Sequence, residues 1–283
     1  MISKTILITG CSSGIGYDAV FSLTKRGHRV LASCRKQSDV DSLKAQGIET
    51  LLLDISDSNS IQSAFTQLME LTNGQLDVLI NNAGYGQAGA LEDITRDTLR
   101  RQFETNVFGL LELTNLVIPI MRQQKKGRII NISSILGVVS MPFRGAYNSS
   151  KYAVEGLSDT LRLELCSSGI DVITIEPGPI QSQFRDNVVD GTLKNVDVKN
   201  SFFAKQYDNM LSTYKQTKKN SMFTRNPDAV IKKLIHAIES PKPRPKYPVT
   251  MPAHLLILLK RFLSTRMMDK LFLFISKKEL PGR

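Results

Sequence analysis

Short apolar runs alternate with longer amphipathic segments along most of this 283-residue chain, and this alternation restricts the fold more than any other feature. Six runs rich in Val, Ile and Leu are too short for independent helices and are predicted as buried strands: 5–9, 29–33, 49–54, 77–81, 128–133 and 171–176. Helical patterns are predicted over 15–26, 58–71, 97–123 and 147–167. Such alternation predicts an α/β fold, a Rossmann-type doubly wound parallel sheet with helices on both faces.

The alternation stops after residue 176. Residues 178–225 are polar and weakly periodic, with one helical insert predicted around "FFAKQYDNMLSTYK", and a connection of this length usually serves as a lid or binding loop. We therefore predict a single catalytic domain over residues 1–250, with its substrate loop at about 178–225. Residues 251–283 are predicted to form a basic amphipathic helical tail.

The positive charge of the chain is concentrated near its C-terminal end. The formal net charge is +11, but residues 241–283 contain ten Lys or Arg and only two acidic residues, so the remainder is close to neutral. A near-neutral body with a basic tail argues against a general nucleic-acid surface. We expect a small-molecule substrate and no nucleic-acid partner.

Cysteine and histidine usage favours a reducing compartment. Cys11, Cys34 and Cys166 have no paired spacing, and the three histidines are scattered, so we expect neither a disulfide framework nor a metal site. The first residues enter an apolar run without the core of a signal peptide, and no run of about 20 apolar residues occurs. We expect a cytoplasmic protein, or one peripheral on the inner face of a membrane.

A glycine-rich turn follows the first predicted strand. "TGCSSGIG" contains Gly10, Gly14 and Gly16, and glycines here let the backbone approach a pyrophosphate at a helix N-terminus. The spacing is G-x-x-x-G-x-G rather than the commoner G-x-G-x-x-G. A plain tight turn is the alternative, but the position after strand one favours a dinucleotide.

Residues at the ends of predicted strands two and three help to distinguish an NADP(H) site from an NAD(H) site. NAD sites usually carry an acidic residue where this chain has Cys34, and Arg35 and Lys36 follow. A guanidinium can bind a 2′-phosphate that a carboxylate would repel, so NADP(H) is predicted, with two solvated cations as the alternative. Asp54 is placed either to accept from the adenine amino group or to cap the next helix.

Two further polar groups end strands four and five. "NNAG" (81–84) offers Asn side chains that can connect strand ends, and Ala83–Gly84 leave room for a ribose. Ser134 ends "ISS", thirteen residues before Tyr147. All these groups fall at carboxyl ends of parallel strands, where open α/β sheets bind their ligands.

The motifs "TGCSSGIG", "NNAG", "ETNVFG", Ser134, "YNSSK" and "PGPI" occur in the order and at the spacings of one family. Over roughly residues 4–185 the chain resembles the short-chain dehydrogenases/reductases. The resemblance implies that Tyr147 is the proton donor or acceptor, and that Lys151 acidifies it and binds ribose. It also implies that Ser134 binds the substrate carbonyl and that Asn106 holds a water in a proton relay.

The resemblance and the strand-end positions together give a set of coenzyme-binding residues. Ile180 corresponds to the position whose backbone meets the nicotinamide amide, and Ser182 stands where many members have Thr. The full set is Gly10, Ser12, Ser13, Gly14, Ile15, Gly16, Arg35, Lys36, Asp54, Ile55, Asn82, Ala83, Gly84, Tyr147, Lys151, Pro177, Gly178, Ile180 and Ser182.

The Tyr147–Lys151 pair has a physical rationale of its own. A phenol with a pKa near its usual value of about 10 is a weak base at neutral pH. An ammonium one helical turn away, together with an oxidised nicotinamide, favours the phenolate. Ser134 would donate a hydrogen bond where negative charge develops. The alternative, a surface lysine on a surface helix, is disfavoured by the surrounding motifs.

Apolar residues near the predicted site favour an apolar carbonyl substrate. The substrate candidates are Val138, Met141, Phe143 and Phe184, with Phe202 and Phe203 nearby in the loop, although all of them equally fit a lid that merely packs. "ASCRK", "FRGAYNSSKYAVEGLSD" and "IEPGPI" resemble retinol- and 17β-hydroxysteroid-dehydrogenase-like members and bacterial NADP-dependent aldehyde reductases. The resemblance also implies a homodimer or homotetramer.

The tail carries apolar side chains at helical spacing between basic residues. These side chains are Leu255, Leu258, Leu259, Phe262, Leu263, Met268, Leu271, Phe272 and Ile275. Basic amphipathic helices can lie in a bilayer interface. The alternatives are that they pack on the substrate domain or on another subunit.

The predicted function is NADPH-dependent, reversible reduction of apolar aldehydes or ketones by Asn106, Ser134, Tyr147 and Lys151. One alternative is an NADP-linked retinol- or hydroxysteroid-type alcohol dehydrogenase that works oxidatively. An alternative of another class is a protein that binds NADP as a sensor without turnover. An intact set of four catalytic residues argues against the sensor.

Overall fold

A computed structural model describes residues 2–181, 183–216 and 226–277. The described residues form one seven-stranded sheet in the order β3-β2-β1-β4-β5-β6-β7, and every neighbouring pair is parallel. The strands are β1 Thr5–Ile8, β2 Arg29–Cys34, β3 Glu49–Leu52, β4 Val78–Asn81, β5 Gly127–Ile132, β6 Ile170–Glu176 and β7 Lys246–Pro248. The doubly wound α/β fold is thereby confirmed.

Helices connect the strands on both faces of this sheet. They are α1 Gly14–Lys25, α2 Gln37–Ala45, α3 Ser58–Leu71, α4 Arg96–Phe103, α5 Gly109–Gln124, α6 Gly145–Glu164, α7 Phe184–Asn195, α8 Ala204–Gln216, α9 Asp228–Glu239, α10 Met251–Phe262 and α11 Thr265–Ile275. The single helix predicted over 97–123 is α4 and α5, joined by a π-helical turn at Glu104–Phe108. Such turns are rare and often occur at functional sites.

Two apolar cores lie on opposite faces of the sheet. Ile6 and Ile8 of β1 pack in one core with α1, α2 and α9, whereas Leu7 packs in the other with α3, α5 and α6. Successive strand residues point to opposite faces, so a strand covered on both sides is apolar throughout. The sheet is therefore held rigidly, with its carboxyl edge free to carry the site.

The polar loop predicted over 178–225 contains two helices rather than one. The unpredicted helix α7 buries only Val188, Val189 and Thr192, which is too few apolar residues to give a helical pattern in the sequence. With α8 it covers a third apolar cluster that includes Phe143 and Tyr207. Residues 217–225 of the predicted loop lie outside the described residues.

The tail, predicted to run to residue 283, is described to residue 277 as α10 and α11. Ala253, Met268 and Phe272 pack against Ile135 and Val139, in the segment that follows β5. The predicted alternative of packing on the rest of the chain is therefore observed for one face of the tail. Within the described ranges, no helix has the length and apolar character needed to cross a membrane.

Candidate active site

The glycine turn after β1 has the geometry that close approach to a ligand requires. Gly10 (φ +69°) and Gly14 (φ +61°) adopt the left-handed conformation that favours glycine. A Cβ on Gly10 would lie 2.7 Å from Ala83 Cα, and one on Gly16 would lie 2.5 Å from Asn82 Nδ2. Side chains at these two positions would collide with the loop after β4, so glycine is required for the turn, called here the cradle, to pack between the ends of β1 and β4.

The cradle leads to the N-terminus of α1. Ser13 is the N-cap residue, with an extended backbone, and its side chain makes no capping hydrogen bond. Amides in the first turn of a helix lack intrahelical partners and favour an anion. Ser12 and Ile15 flank this residue and the helix start. The turn therefore fits the pyrophosphate of a dinucleotide.

Asn82 connects the ends of β4 and β1, as the sequence suggested for this motif. Its Nδ2 donates to the carbonyl oxygens of Thr9 and Gly10, both at 2.9 Å. The Thr9 Oγ1 accepts from the Asn82 and Ala83 amides at 3.0 and 2.9 Å. The loop from Asn82 to Gly84 is thereby fixed beside the glycine turn.

Arg35 and Lys36 are both exposed directly after β2, and Lys36 is the N-cap residue of α2. Burial raises the pKa of the Tyr85 phenol, and the positive charges of Arg101 and Arg35 oppose that rise. A guanidinium in this position is available to a phosphate group of a ligand.

Asp54 is partly buried after β3, and its role as a helix cap is excluded. Its Oδ1 accepts from the amide and the hydroxyl of Ser56, at 3.0 and 2.7 Å. The cap of α3 is Asp57, which accepts from the Asn59 amide. Next to Asp54, Ile55 is buried against Gly109, where its carbonyl oxygen leaves no room for a Cβ.

Lys151 is buried beside the ring of Tyr147 on α6. Only 6% of Lys151 is exposed, and its Nζ donates to the Ile132 carbonyl oxygen at 2.7 Å. The Nζ lies 5.8 Å from the centre of the Tyr147 ring. Burial lowers the pKa of Lys151 to about 8, and the Glu155 carboxylate opposes this effect. A buried cation next to a phenol favours the ionised phenol.

Asn106 occupies the π-helical turn and is fully buried. Its Nδ2 donates to the Tyr85 carbonyl oxygen at 2.9 Å and to Ser150 Oγ at 3.0 Å, while its Oδ1 accepts from the Tyr85 amide at 3.1 Å. A Cβ on Gly84 would lie 3.1 Å from Asn106 Oδ1 and 3.8 Å from Lys151 Nζ. The side chain thus fixes the Gly84–Tyr85 loop, and its role in holding a water stays a prediction.

Ser134 is buried at the end of β5, with an extended backbone. Its Oγ accepts from the Leu136 amide at 3.1 Å. A hydroxyl that accepts from an amide keeps its own proton for donation to another group. The Ile135 amide donates to the Pro177 carbonyl oxygen at 2.9 Å, so the segments after β5 and β6 are held together.

The "PGPI" segment begins directly after β6. Pro177 is buried, and Gly178 lies against the Thr250 side chain so closely that a Cβ would collide with it. Ile180 is partly buried and packs against the core that contains β1. Ser182 lies outside the described residues, so its predicted contact with the coenzyme cannot be placed.

The four predicted substrate residues divide between two places, since Phe143 and Phe184 belong to one apolar cluster and Met141 belongs to another. The Phe184 ring is 5.5 Å from the Tyr147 ring. Phe143 is buried, with its ring 5.5 Å from Phe203 and 5.4 Å from Tyr207, so it packs beneath α7 and α8 instead of lining an open pocket. Its sequence position beside the site gave no sign of this orientation.

Val138 and Met141 contact the C-terminal tail instead of the cluster that contains Phe143 and Phe184. The Val138 carbonyl oxygen accepts from the Tyr152 hydroxyl at 2.5 Å and from Lys260 Nζ. Met141 packs in the apolar cluster that holds the tail. Of the other loop aromatics, Phe202 is exposed. Among the predicted substrate residues, Phe184 is therefore the one observed in contact with the Tyr147 ring.

Glu155 and Tyr85 are site residues that the sequence reasoning missed. Glu155 is buried one turn beyond Lys151, and its Oε2 accepts from Lys246 Nζ at 2.8 Å. The i, i+4 spacing of Lys151 and Glu155 on one helix was a usable signal. Tyr85 is recognisable only from the structure, because its loop is positioned by Asn106.

Known proteins resemble this chain over most of its length. A family model described as short chain dehydrogenase matches residues 4–192. YbbO, an uncharacterized oxidoreductase of Escherichia coli (strain K12), is 41% identical over 96% of this chain and 94% of that protein. The 3-ketodihydrosphingosine reductase of Bacteroides thetaiotaomicron is 36% identical over 83% of this chain and 84% of that protein.

Solved structures share the fold. A short-chain dehydrogenase from Streptomyces avermitilis has a TM-score of 0.78 at 26% identity, covering 98% of this chain and 96% of that one. Two more distant ones, each with a TM-score of 0.74, hold different coenzymes: a serine dehydrogenase with NADP+ at 24% identity and a Burkholderia phymatum enzyme with NAD at 23%. The matched residues, the sheet and the relatives together show that this chain belongs to the short-chain dehydrogenase/reductase family of oxidoreductases.

Proposed function

We propose that this protein binds NADP(H) at the carboxyl edge of its sheet and reversibly reduces apolar aldehydes or ketones to alcohols. The observation that carries the proposal is the buried Lys151 cation 5.8 Å from the Tyr147 ring. Gly84 lies next to both this cation and Asn106, since a Cβ on Gly84 would be 3.8 Å from Lys151 Nζ and 3.1 Å from Asn106 Oδ1. This is an arrangement for moving a proton at the phenol oxygen, which a protein that only binds a nucleotide does not need.

The chain offers suitable groups for each part of the coenzyme. When bound, the reduced nicotinamide supplies the hydride. Arg35 and Lys36 would hold the 2′-phosphate, Asp54 the adenine, and Lys151 the ribose. The glycine turn and the α1 N-terminus would hold the pyrophosphate, because amides in the first turn of a helix lack intrahelical partners and favour an anion. Exposed cations after β2, where NAD sites usually have a carboxylate, support NADP(H) over NAD(H).

The protein side of the reduction is a proton transfer to the substrate oxygen. Tyr147 donates its proton to the carbonyl oxygen, and the Lys151 ammonium stabilises the phenolate that remains. Ser134 donates a hydrogen bond to the same oxygen, since its Oγ already accepts from the Leu136 amide. Asn106 keeps the Gly84–Tyr85 loop in place beside Lys151. In the oxidative direction, the phenolate removes the alcohol proton.

An apolar substrate is supported by the lid. The Phe184 ring contacts the Tyr147 ring edge to face, and α7, which begins at Phe184, packs over a cluster of apolar side chains. One relative is named as a reductase of 3-ketodihydrosphingosine. An apolar lid over a proton donor excludes water and strengthens hydrogen bonds to the substrate oxygen.

We also propose that the protein assembles as a homodimer or homotetramer through the faces of α4, α5 and α6. Phe108, at the end of the π-helical turn, and Leu163 on α6 are large apolar side chains that this chain leaves exposed. Burying them between subunits would be favourable.

The test is NADPH consumption with aldehydes and ketones of increasing chain length, comparing the wild type with Tyr147→Phe. Tyr152→Phe is the matched control, because it removes a hydroxyl from a more exposed position of the same helix. We expect Tyr147→Phe to lose about 10²–10⁴-fold in kcat while still binding NADPH. The control should keep its rate.

Equal rates for Tyr147→Phe and the wild type would contradict the proposal. A wild type that binds NADPH but reduces no member of the panel would favour the nucleotide sensor instead. NADPH binding is measured separately from turnover, by the fluorescence of the reduced nicotinamide.

A further inference from the structure

The tail helix α10 has two apolar faces, and only one of them is covered. Ala253 is fully buried, and Leu256, Ile257 and Leu259 pack partly against the segment after β5. The other face presents Met251, Leu255, Leu258 and Phe262, spaced at i, i+4, i+7 and i+11. This spacing forms a continuous stripe along a helix.

Helix α11 also carries exposed apolar side chains. We define the tail surface by the following exposed side chains: Met251, Leu255, Leu258, Phe262, Met267, Leu273, Phe274 and Ile275. Each of these is 45–75% exposed. They are eight of the 17 large hydrophobic side chains exposed in the described residues, although they fall within only 25 positions. Such a concentration marks an interaction site rather than scattered exposure.

The charge around the tail surface is strongly positive. Over 251–277, the described residues contain five exposed cations and one acidic residue, Asp269. The cations are Lys260, Arg261, Arg266, Lys270 and Lys277. Helices that lie in a membrane interface combine an apolar face with basic side chains, whose stems extend to the lipid headgroups.

We propose that α10 and α11 attach the protein to the surface of a bilayer that contains anionic lipid. The helices have 12 and 11 residues, so each is long enough to lie in the interface but too short to span the hydrocarbon core. The apolar stripe would enter the acyl boundary, and the cations would pair with the headgroups.

The charge pattern favours lipid over a second copy of the chain. In a two-fold symmetric contact, the same patch of each subunit faces its counterpart, so the two basic rims would face each other. Like charges across an interface are unfavourable. An anionic surface instead attracts these cations, of which Lys260 also donates to the Val138 carbonyl oxygen within the chain.

Attachment here would place the bilayer beside the catalytic segment. Ile135, directly after Ser134, packs in the same cluster as Ala253 and Phe272, which form the covered face of the tail. This consequence for substrate delivery rests on the proposed function. Membrane attachment itself does not, and it is measured without any substrate.

The experiment is co-sedimentation of the full chain with vesicles. One set contains phosphatidylcholine alone and the other contains equal parts of phosphatidylcholine and phosphatidylglycerol, each at low and high salt. We expect the wild type to sediment with the anionic vesicles at low salt, and less at high salt. Substitution of both Arg261 and Arg266 by Gln should weaken binding by about five-fold for each charge.

The apolar stripe is tested by Leu258→Glu, with Leu71→Glu as the matched control. Leu258 is 54% exposed in the tail surface, whereas Leu71 is 46% exposed at the end of α3. We expect Leu258→Glu to lose about ten-fold or more in vesicle binding, and Leu71→Glu to bind like the wild type. Circular dichroism checks that each variant folds. Should Leu258→Glu unfold, the paired Arg substitutions and the salt dependence decide the question.

Three results would overturn the proposal. The wild type could stay in the supernatant with anionic vesicles at low salt, or Leu258→Glu could bind as tightly as the wild type. Sedimentation velocity could instead show that Leu258→Glu lowers the oligomeric mass without changing vesicle binding, and a second copy would then be the occupant. NADPH turnover in free solution is scored separately, so failure of the proposed function remains distinguishable.

Discussion

The proposed role of Tyr147 depends on the ionisation of Lys151. Spacing on a helix predicted that the two side chains are neighbours, and the structure adds that Lys151 is almost fully buried. Burial lowers its pKa to about 8, which leaves the amine mostly protonated at neutral pH. The fold therefore buries a positive charge at a cost in stability, and the buried charge can stabilise the Tyr147 phenolate.

Replacing Lys151 by Met should show how much burial of this charge lowers the free energy of unfolding, because that destabilisation depends on pH. The folded-state pKa of about 8 lies below the ordinary 10.5, so folding buries a charge that the unfolded chain holds more easily. The penalty is complete below pH 8, declines as the pH rises toward 10.5, and amounts to about 3 kcal/mol.

The measurement is urea unfolding of the wild type and Lys151→Met at pH 7 and pH 10, without coenzyme. The wild type should gain about 2 kcal/mol relative to the variant at the higher pH. Lys44→Met, which removes an exposed lysine from α2, should show no such change. A difference between wild type and Lys151→Met that is the same at both pH values would contradict burial of the cation.

The proposed preference for NADP(H) rests on Arg35. Arg35→Asp should shift the ratio of kcat/KM for NADPH over NADH toward NADH, because the carboxylate repels a 2′-phosphate and can accept from a free 2′-hydroxyl. A shift of about ten-fold or more is expected from the loss of one charge-assisted contact.

Steady-state kinetics with both coenzymes measure this ratio. Lys44→Asp makes the same charge change at an exposed position of α2 and serves as the control. If Arg35→Asp leaves the ratio of kcat/KM for NADPH over NADH unchanged, the Arg35 guanidinium does not bind the 2′-phosphate.

Helices and strands that bury many apolar residues could be predicted from the sequence. Elements that bury few apolar residues could not. The six strands followed from dense runs of Val, Ile and Leu. Helix α7 was not predicted because it buries only three side chains. The π-helical turn was not predicted because the contact that fixes Asn106 is made with Tyr85, which is distant in sequence. Phe143 was predicted to contact the substrate, whereas its side chain packs in the apolar cluster beneath α8.

Helix α6 also carries Glu155, whose negative charge helps Lys151 to stay protonated. Glu155→Gln should lower the pKa of Lys151 further, because a nearby carboxylate favours the charged amine. The pH at which the destabilisation by the buried Lys151 charge begins to decline should then be lower.

A double-mutant cycle with Lys151→Met, with the free energy of unfolding measured at several pH values, isolates this interaction. Glu164→Gln is the control, since Glu164 is exposed at the end of the same helix. Superimposable pH curves with and without Glu155 would show that its charge does not reach Lys151.

For the whole molecule, the parallel sheet explains why a site dispersed over the sequence becomes compact. Gly10, Asn82 and Ser134 end three adjacent strands, β1, β4 and β5, so the strand order brings them to one edge. The sequence predicted this edge and the residues on it. It could not predict how the tail divides its apolar residues, because both faces of α10 are equally apolar and only packing against Ile135 and Val139 distinguishes them.

The central claim is that the chain transfers hydrogen between a reduced nicotinamide and a carbonyl carbon, with Tyr147 completing the alcohol. Its most direct test supplies NADPH with deuterium at the transferable C4 position and a long-chain aldehyde such as decanal. The product is then analysed by mass spectrometry. We expect one deuterium on the carbinol carbon with the wild type and almost none with Tyr147→Phe over the same time. Decanol without deuterium, or equal labelling by both proteins, would contradict the account.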